Sequence, residues 1–171
     1  MKRGKACGAD GVTAEMLKAE DTETRRHLPC ILREIWESET IPETWKTGLI
    51  FKLPRKGDLG DCDNRRGVAL LPITSKVLSK IIHTRLFEAL DEYIRQEQTG
   101  FRPGLSCSDH IFTLKQILEH SKEWNASLYV NFIDFEKPFD SIHRDSLWKI
   151  LRHYGTPPKL VNVIKMLLQR L

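Results

Sequence analysis

The sequence predicts an α+β fold, rich in helix, with a small and mostly antiparallel sheet. Three observations carry this expectation. Apolar residues recur at helical spacing in several long stretches. Two short runs rich in strand-forming residues, 47–53 and 67–71, flank a polar loop. A third run, 128–133, alternates Leu128, Val130 and Phe132 with Tyr129, Asn131 and Ile133, and it stops at Asp134. The expected arrangement puts Asp134 at one strand end of the sheet, partly dry, with helices packed beneath.

The elements follow in order. Gly8-Ala9-Asp10-Gly11 reads as a turn, and Thr13 as the cap of a helix with Met16 and Leu17 inward. A second helix over 23–39 places Leu28, Ile31, Leu32, Ile35 and Trp36 on one side. The strand 47–53 and the strand 67–71 bracket a loop of alternating charge. This region carries Lys52, Arg55, Lys56, Arg65 and Arg66. Thr74 or Ser75 caps a helix to about residue 93, with Val77, Leu78, Ile81, Ile82, Leu86 and Leu90 facing inward. Gln98 to Gly104 is a turn punctuated by glycine and proline. Ser106 caps a helix to about residue 124, with Ile111, Leu114, Ile117 and Leu118 inward. After the third strand, a helix from about residue 144 ends at Gly155, and Pro157-Pro158 opens the last one.

Composition narrows the classes. At 171 residues, 40% of them apolar, the chain is one globular domain or part of one. Its formal charge of +4 is compatible with a nucleic-acid partner without requiring one. No apolar run reaches membrane-spanning length, and the first residues lack the apolar segment of a signal peptide. Cys7, Cys30, Cys62 and Cys107 are far apart, which argues for free thiols and against zinc or a disulfide frame. A cytoplasmic or nuclear location is expected.

Two groups of residues carry candidate chemistry. A carboxylate at a strand end is rigidly aimed, which suits a magnesium ion that shares its other positions with water and phosphate. Asp134 has that place, with Glu136 and Asp140 close behind. The alternative is an ordinary strand-end residue and a helix-capping Asp140. The basic hairpin can grip phosphate, by the two-pronged contact of arginine and the point charge of lysine. Its alternative is a solvated hairpin tip.

The stretch Asn131-Phe132-Ile133-Asp134-Phe135-Glu136-Lys137-Pro138-Phe139-Asp140 resembles the first catalytic motif of reverse transcriptases. The similarity is greatest to non-LTR (LINE-type) retrotransposons. Residues 48–58, 63–71 and 97–104 resemble further motifs of that family in the same order. The resemblance implies the fingers and part of the palm of a right-hand polymerase. Residues 1–46 would be a helical scaffold, 47–127 a fingers-like region, and 128–171 the first half of a palm-like region, all one structural unit. It implies an RNA-directed DNA polymerase that uses Mg²⁺, an RNA template, a DNA primer and deoxynucleoside triphosphates. Asp134 would be catalytic and, with the Phe135 carbonyl, would hold metal. Lys52, Arg66, Phe135 and Phe139 would bind the nucleotide, with Phe139 stacked under the sugar to reject a 2′-hydroxyl. Phe101 and Arg102 would meet the template.

The chain departs from the pattern at several places. Pro138 replaces an alanine, Leu105 an arginine, and Arg65 an aromatic residue. No Asp-Asp pair occurs anywhere in the sequence. One carboxylate does not hold two magnesium ions, so the expectation is a reverse transcriptase fragment that is inactive alone. The alternative is a non-catalytic nucleic-acid-binding remnant.

Overall fold

Local capping chemistry fixes several of the helix ends. The computed structural model describes residues 4–19, 22–54, 57–58, 60, 64–135, 138–139 and 141–168. It contains α1 (Ala14–Lys18), α2 (Thr22–Ser38), α3 (Glu43–Lys46), β1 (Leu49–Pro54), β2 (Arg65–Leu70), α4 (Ile73–Leu90), α5 (Cys107–Glu123), α6 (Arg144–His153) and α7 (Pro158–Leu168). A single 3₁₀ turn, Asp91–Tyr93, follows α4. The α+β class and the helix-rich balance are as the sequence predicts.

Thr13 caps α1 as expected, its hydroxyl accepting from the Met16 N–H at 3.3 Å. Met16 is nevertheless exposed. The expected cap of α4 at Thr74 or Ser75 is displaced. The helix already runs from Ile73, and the Pro72 carbonyl accepts the Lys76 N–H at 3.1 Å. Ser75 is buried, and its own carbonyl accepts from the Ser79 hydroxyl at 2.9 Å. Pro72 thus occupies the N-cap position, its carbonyl accepting the first bond of the helix. Gly155 ends α6 with φ +77°. Its N–H donates to Arg152 O at 3.0 Å and the Thr156 N–H to Leu151 O at 3.0 Å. This paired closure needs a left-handed residue, which glycine provides without steric cost.

The chain divides into two units. One comprises residues 1–89 with 148–171, and the other residues 90–147. The first unit holds the core. Ile35 of α2, Ile41, Trp45 of α3, Leu78 and Ile82 of α4, and Leu160, Val163 and Leu167 of α7 form one buried cluster. Each such side chain removed from water contributes about 1.5–3 kcal/mol. The Glu39 carboxylate accepts from the Asn162 amide at 2.8 Å and ties the end of α2 to α7. The N-terminal segment crosses closely over the start of α4. A Cβ at Gly8 would sit 2.6 Å from the Pro72 nitrogen.

β1 and β2 pair antiparallel, from Leu49↔Leu70 to Pro54↔Arg65. This is the predicted hairpin. Every residue of β1 is exposed.

The second unit buries far less. Ser106 caps α5 reciprocally with Asp109. The Ser108 N–H donates to the Ser106 hydroxyl at 3.2 Å, and the Ser106 N–H donates to the Asp109 carboxylate at 2.6 Å. Yet no residue of α5 is buried. Ile111, Ile117 and Leu118, expected inward, are exposed. Helical spacing says which side chains share a face; it does not say that anything covers that face.

The largest departure is the expected third strand. Residues 128–133 join no ladder, and the sheet of the described residues contains β1 and β2 alone. Tyr129 is 93% exposed and Phe132 81%. A strand is stabilised by cross-strand neighbours rather than by its own side chains, and no described segment pairs with this one. Asp134 therefore does not sit at the end of a buried strand.

The two units should respond differently to truncation. Leu78→Ala is expected to cost about 2–5 kcal/mol by emptying part of the core. Ile117→Ala, on an exposed face, should change stability by about 0.5 kcal/mol or less. Urea unfolding of both variants checks the contrast.

Candidate functional site

The candidate residues fall on three short segments. Lys52 and Arg66 belong to the hairpin of the first unit. Phe101 and Arg102 lie in the turn before α5, and Asp134, Phe135 and Phe139 in the segment before α6, all within the second unit.

On the hairpin, alternation decides which cations share a face. Lys52 pairs with Gly67, and Arg66 pairs with Leu53. The two expected nucleotide contacts therefore emerge on opposite faces of the ribbon. Lys52 instead shares its face with Arg65, which stands opposite Pro54. Gly67 leaves Lys52 without a facing side chain. Arg65 was legible as one of the hairpin cations and as a substitution for an aromatic residue, but not as the neighbour of Lys52. Counting the register back from the loop is the signal that places it beside Lys52. Lys52, Arg65 and Arg66 are all exposed. Arg55 and Lys56, the other loop cations, lie outside the described residues.

The turn before α5 is held by Arg102. Its guanidinium donates to the Asp91 carboxylate from Nε at 2.9 Å and lies 2.8 Å away through a second nitrogen. A third contact goes to the Arg95 carbonyl at 3.1 Å. The Arg102 side chain is only 14% exposed. Two nitrogens meeting one carboxylate oxygen close the turn against the 3₁₀ turn Asp91–Tyr93. Their grip also fixes the neighbouring residue. Phe101 has φ +62°, a left-handed conformation rare for an aromatic residue.

Phe101 turns its ring outward, 87% exposed, and meets Phe139 edge-on with centroids 6.3 Å apart. Phe139 is itself 73% exposed. The structure thus brings together one expected template contact and one expected nucleotide contact. Asp134 and Phe135 are exposed to solvent. Glu136, Lys137 and Asp140 lie outside the described residues. Pro138 is described, and its carbonyl accepts from the Ser141 hydroxyl at 3.1 Å. It has no N–H to offer a ligand.

As a metal site the donors are of the right kind but few. A carboxylate and a carbonyl are hard oxygen ligands that suit Mg²⁺. Among the described residues no group of three His, Cys, Asp or Glu gathers. Two ions held side by side require more carboxylates than Asp134 alone. No described helix is long and apolar enough to cross a membrane.

The site thus consists of a hairpin bearing cations, an exposed acid after an apolar run, and a pair of aromatic rings. Residues 53–171 match the family described as reverse transcriptase (RNA-dependent DNA polymerase). The chain belongs to the reverse transcriptase family. It is similar to the 149 kDa protein of transposon TX1 from Xenopus laevis, 29% identical over 96% of this chain and 13% of that protein. It is also similar to two Drosophila melanogaster proteins. The 115 kDa protein of the type-1 retrotransposable element R1DM is 30% identical, over 83% of this chain and 14% of its own length. The Pol polyprotein of the type-2 element R2DM is 30% identical, over 92% and 14%. These relatives place the chain with the reverse transcriptase domains of LINE-type retrotransposons. The chain spans about one seventh of the length of these relatives.

The clamp at Arg102 has a measurable consequence. Arg102→Ala should cost about 0.5–1.5 kcal/mol by removing the bonds to Asp91 and the Arg95 carbonyl. Amide hydrogen exchange should speed up across residues 94–105. Arg102→Lys should restore little, because an ammonium cannot span the same acceptors.

Proposed function

We propose that the chain is the part of a retrotransposon RNA-directed DNA polymerase that presents the first catalytic carboxylate, Asp134, to a primer end and an incoming deoxynucleoside triphosphate. One observation carries this reading. Asp134 is exposed and is followed five residues later by an exposed Phe139, within a segment that matches the family. An RNA template and a DNA primer are the polynucleotide partners.

The roles follow from the chemistry of each group. Asp134 and the Phe135 carbonyl would hold Mg²⁺, with the remaining carboxylates supplied by other parts of the polymerase. When bound, the metal supplies charge that stabilises the attacking and leaving oxygens of an in-line phosphoryl displacement. Phe139 stacks against the sugar and leaves no room for a 2′-hydroxyl. Lys52, with Arg65 beside it on one face of the ribbon, or Arg66 on the other face, offers a cation for phosphate. Phe101 presents its ring to the template, and Arg102 holds the turn that carries it. Pro138 weakens triphosphate binding, because an alanine there donates an N–H and proline does not.

A second reading has its own support. The ribbon of β1 and β2 exposes Lys52, Arg65 and Arg66 on its two faces. Such a ribbon binds polynucleotide backbone without any catalytic step.

Primer extension tests the first reading, using this chain joined to the downstream half of a related reverse transcriptase. Asp134→Ala should abolish extension, and unchanged extension rejects the assignment. The chain by itself should extend no primer. Pro138→Ala should lower the KM for deoxynucleotides about two- to tenfold, the effect of one regained hydrogen bond. For the second reading, affinity for RNA should fall with added salt. Replacing Lys52, Arg65 and Arg66 with alanine should flatten that dependence.

A further inference from the structure

We infer that Phe101 is a positioning residue for Phe139 and so sets how strictly the site rejects ribonucleotides. The inference rests on the reading of Phe139 as the residue that excludes a 2′-hydroxyl. It adds a second residue, 38 positions earlier in the chain, on which that exclusion depends.

Three observations support it. First, Phe139 needs an external support. It is 73% exposed and lies in a turn after Pro138, so its own segment does little to hold the ring. Second, a support is present. The Phe101 ring stands edge-on to it, at 6.3 Å between centroids and 79° between planes. This is a favoured aromatic geometry, in which the positive edge of one ring meets the negative face of the other. Third, the support is itself fixed. Phe101 is kept at φ +62° by a turn that Arg102 pins to Asp91, Arg95 and Gln98. A left-handed conformation is costly for a residue with a Cβ. Glycine would suit the backbone better, so the ring itself is the reason to have phenylalanine there.

The consequence is a coupling between the template side and the sugar side of the site. A contact to template alone would affect deoxy- and ribonucleotides equally. Support for Phe139 would affect their ratio.

The experiment measures kcat/KM for a deoxynucleotide and for the matching ribonucleotide. It uses this chain joined to the downstream half of a related reverse transcriptase. Phe101→Leu should lower the deoxy-to-ribo ratio about two- to tenfold, the size of one edge-to-face pair. Phe101→Gly should lower it equally while relieving the backbone, which separates ring loss from misfolding. Phe101→Tyr should keep the ratio. In a Phe139→Ala background, Phe101→Leu should change the ratio no further. If Phe139→Ala collapses the ratio but Phe101→Leu and Phe101→Gly leave it intact, the inference is overturned and the reading of Phe139 stands. If Phe139→Ala itself leaves the ratio unchanged, both fall.

Discussion

One cluster of eight side chains supports the helical part of this protein. Trp45 sits in a helix of one turn, too short to be stable alone, and it holds its place because α2, α4 and α7 supply its neighbours. The start of α4 is buried as well. Pro72 and Ile73 are buried there, Gly8 passes against Pro72 without room for a Cβ, and the ribbon of β1 and β2 leads into that junction. The cations of the ribbon are thus carried on a hairpin rooted in a packed body, although the ribbon itself is exposed.

The second unit is organised by polar contacts instead. The capping box of Ser106 with Asp109 starts α5, and the fork of Arg102 closes the turn before it. These contacts are local and directional. They hold a backbone in place with little burial, which is how an exposed aromatic ring at a left-handed position is maintained. Apolar residues are left in the open here: the face of α5, and Tyr129, Phe132 and Phe135 around Asp134.

Much of the fold and part of the candidate site were legible in the sequence. Thr13, Ser106, Gly155 and Pro158 mark helix ends through chemistry contained in a few adjacent residues. The hairpin was legible because its strand-forming runs flank a polar loop. The start of α4 was misplaced because Ser75, a good cap by type, is buried within the helix. The face of Arg66 was not legible, because alternation over a pair of strands depends on a register that the loop decides. The contact between Phe101 and Phe139 had no sequence signal. Nothing in spacing brings together two rings 38 residues apart.

The sequence by itself determined the family, the order of the helices, the hairpin and the identity of the acid at position 134, because each rests on residue types at short range. Only the tertiary structure decided that residues 128–133 lack a strand neighbour among the described residues, that Lys52 and Arg66 face apart, and that the rings of Phe101 and Phe139 meet. Burial, pairing and ring contact are relations between distant segments, and their energies exist only once those segments meet.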